Sequence, residues 1–442
     1  RSLVSLYDFE NRDAIFPGVH RSYKFCLLTI TGLSRLTTRY ASFAFFAQNV
    51  GDLQDEQRRF TLSASDIRLL NPNTRTCPIF RSKRDMLITK AIYEHFPVLI
   101  KEGSIEENPW DITFRQGLFN MTSDSHLFRT RKQLEGDGWQ LEGNVFKHGG
   151  EQYLPLYEGK MIWHYDHRFS SYDNAAQEFH DVPAEQHDKP NQLPLTRYWV
   201  HESHMSDIRK SGRNALLAFR DIARSTDARS AIFSIIPVVP CGHTLPLTLA
   251  NPAYHVKQIF LAVSLSSFVF DYISRQKLGG THMTFFIFKQ LPVLPPDHYT
   301  TQCVWDIEHT LGDWITPRAL ELTYTAWDLE AFARDCGYAG PPFRWDGERR
   351  FVLRCELDAA YFHLYGIARE DVAYIMETFR VWREKEVKQQ GEYRTKRVIL
   401  EIYDEMAQAM EHGAAYRTRL EPGLADAAVA HTARVNVEVR GA

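Results

Sequence analysis

SFVFDYISRQKLGGTHMTFFIFKQLPVLPP, residues Ser267–Pro296, packs an apolar helix end, three cations, a Gly pair and a proline stop into thirty residues. Ile259, Phe260, Val263, Phe270 and Ile273 recur at helical spacing, so one helix is expected over residues 252–277. Gly279 and Gly280 can take the positive φ that closes it, and Arg275 and Lys277 fall where a helix dipole favours cations. Beyond the turn, Thr281, Met283, Phe285 and Ile287 alternate with His282, Thr284, Phe286 and Phe288. That alternation predicts a short strand with one face in the core, stopped by Pro292, Pro295 and Pro296.

Outward from this unit, 442 residues exceed what one core usually holds, so two or three domains are expected. A 44% hydrophobic content can fill those cores and argues against disorder. The longest nearly apolar run, Ile259–Phe270, is too short to cross a bilayer, so no membrane span is predicted. The chain opens on Arg1 with no charged n-region or apolar h-region, as expected of a truncated or processed fragment. Six cysteines, with no CxxC pair, fit reduced thiols in the cytoplasm better than a zinc or disulfide framework. A net charge of −3 gives no whole-chain case for nucleic acid. Locally, however, residues 205–230 carry six cations against three carboxylates, either a solvated helix face or a basic patch.

The element pattern predicts an α+β chain. Tyr23–Ile30 reads as a buried strand after a turn at Phe16-Pro17-Gly18. Helices are expected at residues 63–70 and 83–95, and residues 103–191 read as irregular. RYWV, ALLAFRDIA and SAIFSIIPVVP read as strands or buried segments. Past Pro296 helices are expected over residues 305–312, 325–337, 356–366, 368–379 and 393–412, several ending at a Gly, with a frayed final thirty residues.

Seven segments, in order, resemble those of large adenine-specific DNA methyltransferases, namely the type IIG restriction-modification enzymes and the related phage-defence methyltransferases of the BREX and DISARM systems. They are YDFENRDAIFPGVHRSYKFCLLTITG (residues 7–32), NPNTRTCPIFRSKRD (71–85), FNMTSDSHLFRT (119–130), LYEGKMIWHYDHRFSSY (156–172), FRDIARSTDARSAIFSIIP (219–237), RCELDAAYFHLYG (354–366) and GEYRTKR (391–397). The resemblance implies a remnant of the last methyltransferase strands in residues 1–60, a mixed α/β target-recognition domain in 61–300 and a helical C-terminal region in 301–442. It places Phe16 where the family carries an aromatic that stacks on a flipped adenine, a step needed because N6 is paired and stacked within a duplex. The alternative for Phe16 is a core phenylalanine at a turn.

The family's Gly-rich donor loop and Asn-Pro-Pro-Tyr motif are both missing. Asn251-Pro252-Ala253-Tyr254 reads instead as a helix start, with Asn251 as cap and Pro252 in the first turn. No catalytic residue and no cofactor site are therefore expected here, and S-adenosyl-L-methionine belongs to the parent protein. A nuclease is not supported, since Glu386-Val387-Lys388 reads as a solvated helix face. The pairs His164/His167 and His201/His204 have the wrong spacing for a zincin, so no metal is expected. Ser123, Asp124 and His126 read as turn caps rather than a triad.

A rigid helix, turn and strand presenting polar groups suits the reading of base edges in double-stranded DNA. Phosphate contacts need cations, for which Arg75, Arg81, Lys83, Arg168, Arg209 and Lys210 are candidates. Base contacts need paired donors or acceptors, and the candidates are Arg220, Arg224, Asp227, Arg229, Lys277, His282 and Lys289. Each has a competing reading as a surface ion pair or helix cap. Two functions stay open: the DNA-reading portion of an adenine-N6 methyltransferase beside an upstream methyltransferase domain, or a non-catalytic specificity or docking module that binds other defence-system proteins.

Overall fold

Two hairpins sharing a parallel seam build the first sheet. A computed structural model of the chain describes residues 2–32, 38–103, 105–251 and 257–434. β1 (Leu3–Glu10) pairs antiparallel with β2 (Lys24–Ile30), Glu10 opposite Lys24, and parallel with β3 (Tyr40–Ala47). β4 (Phe60–Ser63) closes the order β2-β1-β3-β4. Phe43, Phe45 and Phe60 stack beneath it and are buried. The apolar run of β2 is not buried as expected: Leu27, Leu28 and Ile30 are each more than half exposed. A continuous apolar strand is buried only when packed layers cover both of its faces, and β2, an edge strand beside β1, is exposed on both. Ser63 opens α1 (Ala64–Leu70) through a capping box with Asp66, and Ser82 caps α2 (Lys83–His95), both at the expected bounds.

The middle of the chain contains more sheet than its sequence suggested. β5 (Ile112–Arg115), β6 (Phe128–Arg129), α3 (Arg131–Gly136), β7 (Gln140–Glu142), β8 (Val145–His148) and β9 (Glu151–Pro155) come first. They are followed by β10 (Ser170–Asp173), β11 (Glu178–Asp181), α4 (Ala184–His187), β12 (Trp199–His201), α5 (Ser206–Lys210), β13 (Leu216–Phe219), β14 (Phe233–Ile236) and β15 (Leu247–Ala250). One sheet runs β6-β12-β9-β8-β7 and another β14-β13-β15-β5, while β10 and β11 form a hairpin. Strands of two to five residues are too short for alternation to stand out, which is why residues 103–191 read as irregular.

The unit quoted first is built differently from expectation. Its helix is two, α6 (Lys257–Ser266) and α7 (Phe268–Arg275), broken at Ser267, whose hydroxyl accepts from the Phe270 amide. The proposed start at Pro252 lies outside the described residues. In place of a strand at 281–288, His282 makes a single bridge to Ile222 and α8 (Phe285–Phe288) follows as one helical turn. Phe285 and Phe288, three apart, both pack on Phe114 at 5.1 Å, leaving Phe286 exposed. Three-residue spacing thus overrides a two-residue alternation.

The C-terminal region is helical after one hairpin. β16 (Gln302–Cys303) and β17 (Asp306–Thr310) replace the helix expected at 305–312; the helix begins where Thr310 and Asp313 form a capping box, at α9 (Leu311–Thr323). Then come α10 (Glu330–Asp335), α11 (Gly347–Leu364), α12 (Arg369–Thr378), α13 (Arg380–Gln390) and α14 (Arg394–His412). Gly391 and Gly413, at φ 80° and 63°, supply the left-handed caps of the last two. Residues 413–434 are not frayed: Leu420 is buried and Tyr416 donates to Glu356 at 3.0 Å. The largest apolar cluster runs from Ala41 to Ala430, drawing on all three expected regions. The chain is α+β, and among the described residues no helix is long and apolar enough to cross a membrane.

Candidate nucleic-acid interface

Asn11 shapes the β1–β2 connection. Its buried side chain accepts from the Phe16 amide (2.9 Å) and donates to the carbonyls of Phe16 (3.0 Å) and Val19 (2.8 Å). Phe16 is thereby held 48% exposed, edge-on to Phe25 at 4.9 Å, and Phe25 stacks on buried Phe9 at 5.1 Å. A fixed, half-exposed ring can stack on another flat ring with little entropy left to lose.

Beside the hairpin lies a cleft of about 380 Å³ between β1–β3 and the loops at residues 225–226 and 278–279. Arg12, Lys24, Arg81 and Arg275 line it against Asp8 and Glu10, a surplus of two positive charges. Phe46 forms its floor at φ 58°, a left-handed conformation that a bulky side chain adopts only when its surroundings impose it. The Asp8 carboxylate accepts from the Phe46 amide at 3.4 Å, and burial raises the Asp8 pKa above its usual range despite that bond. Lys24 and Arg81 lie over the Phe46 ring at 4.5 and 4.1 Å. Glu10 ion-pairs with Arg12 (3.1 Å) and Lys24 (3.6 Å). Arg81 makes no hydrogen bond or ion pair among the described residues; burial lowers its pKa, Glu10 and Asp85 attract it, and Arg380 and Arg12 repel it. Its guanidinium therefore has donors to offer an anion.

Of the other cations expected at phosphates, Arg75, Lys83 and Lys210 are exposed and unpaired among the described residues, and Arg209 donates to Glu202 at 2.5 Å. Arg168 is corrected. It is 1% exposed and donates to the carbonyls of Lys189, Gln192, His187 and Thr325 and to the Thr325 hydroxyl, so it has nothing to present to a duplex. Beside it, His187 contacts Asp166 and His167 contacts Asp328, each at 3.0 Å. The histidine-rich WHYDHR segment is therefore a buried clasp between the middle and helical regions. Among the described residues no three metal-binding side chains converge.

Among the base-reading candidates, Arg224 is exposed, while Asp227 accepts from the Arg224 amide and so fixes its own turn. Arg220 is corrected to a structural role: it donates to the carbonyls of Ile162 (2.9 Å) and Lys160 (3.3 Å), and burial drops its pKa to about 10. So is Arg229, 5% exposed and bound to Asp271 at 2.6 Å. Lys277 bonds the Leu70 carbonyl and Asn71 Oδ1, with burial lowering its pKa to about 7. His282 pairs with Asp221 (2.9 Å) and Lys289 with Glu102 (2.6 Å), both at the surface. Asp124 accepts from the Asn120 amide at 2.7 Å, closing a turn as expected.

The cleft thus brings Arg81 together with Ser225 and Thr226, whose loop Arg275 ties down by donating to the carbonyls of Asp227 and Ala228; the nominated Arg224 and Asp227 flank that lining without being part of it. Arg12, Lys24, Phe46 and Arg275 were missed as site residues. Only the hairpin register, which sets Lys24 opposite Glu10, could have signalled the first two. A second basic recess of about 530 Å³ holds Arg131, Lys132 and Arg197 with Tyr172 and Tyr198.

No family model matches the chain, and no match is found among curated proteins. Among solved structures the chain is similar to the type IIG restriction endonuclease BpuSI, with 12% identity and a TM-score of 0.31, over 93% of this chain and 44% of that one. The chain spans less than half of that protein, and overlap this loose does not establish a shared fold.

Proposed function

We propose that this chain is the DNA-reading part of a site-specific adenine-N6 methyltransferase of a restriction-modification or phage-defence system, acting in the cytoplasm. The observation that carries the reading is the cleft at Phe46, where a cation surplus and an unpaired Arg81 line a recess against the hairpin whose loop also carries the half-exposed ring of Phe16. Cations hold a phosphate backbone in register, and a half-exposed ring held in the same hairpin's loop suits an unstacked base. The sequence resemblance adds the target chemistry, with residues 1–60 as the seam to a catalytic lobe, 61–300 as the reading domain and 301–442 as its helical support.

S-adenosyl-L-methionine is assigned in this reading to a lobe outside residues 1–60. The parallel strands β1 and β3 are joined through β2 rather than a helix, and no described glycine of the first sixty residues has positive φ, so residues 1–60 offer no support for the donor cradle of a βαβ unit. The donor then belongs to a partner lobe. The exposed apolar side chains of β2 and of Tyr23 just before it, with Tyr23 and Leu28 at 64% and 60%, offer that lobe a docking face. The same edge favours the second reading, a docking module without catalysis.

Substituting Arg81→Ala or Lys24→Ala is expected to weaken duplex binding equally on all sequences and to reduce the salt slope by about 1 each. Fluorescence anisotropy on several duplexes checks this; unchanged affinity and slope in both variants would exclude the cleft as the phosphate site.

A further inference from the structure

The helical region reaches the cleft at one point, the start of α13. Phe379, which opens that helix, lies under the Arg275 guanidinium at 4.1 Å, and Arg275 lines the cleft. Arg380 follows in the first turn, close enough for its charge to act on Arg81. No residue of α13 is buried, and one side of the helix is spent on its neighbours. Trp382 packs edge-on to Phe268 at 5.9 Å and donates to Glu386 at 3.0 Å. Glu386 accepts from the Thr395 amide at 2.9 Å, and Arg383 and Lys396 hold Glu377 at 2.8 and 2.6 Å.

The other side is open. At 3.6 residues per turn, Arg380, Glu384, Lys388 and Lys385 fall in one arc opposite Trp382, Arg383 and Glu386. Arg380, Lys385 and Lys388 are exposed and make no hydrogen bond or ion pair among the described residues. Glu384 is the acid of this face, and its charge acts on Arg383. Three cations against that one carboxylate leave two positive charges in excess, since Glu377 and Glu386 are already engaged. Val381 and Val387 are the face's exposed apolar groups, too little area for the core of a protein interface. A phosphate backbone needs cations alone.

We propose that the duplex seated at the Phe46 cleft continues along the open face of α13, where Arg380, Lys385 and Lys388 meet its phosphates. The proposal rests on the cleft being a phosphate site and makes α13 part of the interface rather than support alone. From residue 380 to 388 the helix advances about 12 Å. One DNA strand offers roughly three to four phosphates over that rise. The triple variant Arg380→Ala, Lys385→Ala, Lys388→Ala is expected to bind a duplex of about 30 base pairs with a salt slope about 2–3 shallower than the parent chain. Glu384→Gln is expected to tighten binding roughly two- to fivefold. All four positions are exposed and unpaired, so the variants should fold as the parent does. If the parent binds and the triple variant keeps its slope, the proposal is overturned and the cleft reading stands; if the parent binds no duplex, both fall. Acetylation of Lys385 and Lys388, read by peptide mass spectrometry, should slow severalfold when duplex is added. Equal rates with and without duplex overturn the placement on α13.

Discussion

Replacing Arg168 with Leu is expected to cost about 3–5 kcal/mol of stability, among the largest single losses available in this chain. The guanidinium is almost fully enclosed and satisfies three carbonyls of residues 187–192 together with the carbonyl and hydroxyl of Thr325. Removing it strands those acceptors in the interior, and each unpaired buried acceptor costs about 1–3 kcal/mol. Equilibrium unfolding in urea would show it as a lowered midpoint with little change of slope. The same clasp sets the acid limit. Burial pushes the pKa of Asp166 and Asp328 upward, but hydrogen bonds and charge from His187 and His167 outweigh it and hold both below the usual carboxylate value. Their contribution is therefore present above about pH 4 and lost as pH falls through the depressed folded values. Asp166→Asn should flatten that acid-side decline in a pH series of unfolding curves; an unchanged decline would assign acid sensitivity elsewhere.

Asp271→Leu is expected to be equally severe, at about 3–5 kcal/mol. Asp271 is fully buried and accepts from Arg229 at 2.6 Å, Arg275 at 3.2 Å and the Ser230 amide at 3.0 Å. One leucine would leave two guanidinium groups without their counter-charge. It would also free the 224–230 loop, since Arg275 holds the carbonyls of Asp227 and Ala228 only while it is itself positioned by Asp271. The double variant Arg229→Met, Asp271→Leu should recover part of the loss, because removing both partners is cheaper than orphaning one. Additive losses in that cycle would contradict a direct pair. The loop forms one wall of the cleft, so DNA affinity should fall with Asp271→Leu even in conditions where the variant remains folded.

What could be read in the sequence was what neighbours along the chain decide. α1 and α2 were legible because Ser63 with Asp66 and Ser82 with Asp85 write their starts locally, and the Gly391 and Gly413 stops are equally local. Contacts between distant segments escaped. The run Tyr23–Ile30 has the composition of an interior strand, yet its position at a sheet edge is set by which strands pair, not by its own residues. The TFFIF alternation yielded to the packing of Phe285 and Phe288 on Phe114, from a strand some 170 residues earlier. Charge misled at the site for a similar reason. Arg168, Arg229 and Lys277 look like free cations in the sequence, but their partners are carbonyls and carboxylates from remote segments. Arg81, one of the six cations nominated for phosphates, lines the cleft; the Phe46 floor had no nomination, since a left-handed phenylalanine leaves no sequence signature.

The most direct test of the account is the affinity of the chain for random-sequence duplex DNA measured across a salt series by fluorescence anisotropy. If Arg12, Lys24 and Arg81 of the Phe46 cleft meet phosphates, they alone should make the logarithm of the association constant fall against the logarithm of salt with a slope of about −2 to −3. Absence of binding at low salt, or a slope near zero, would contradict it.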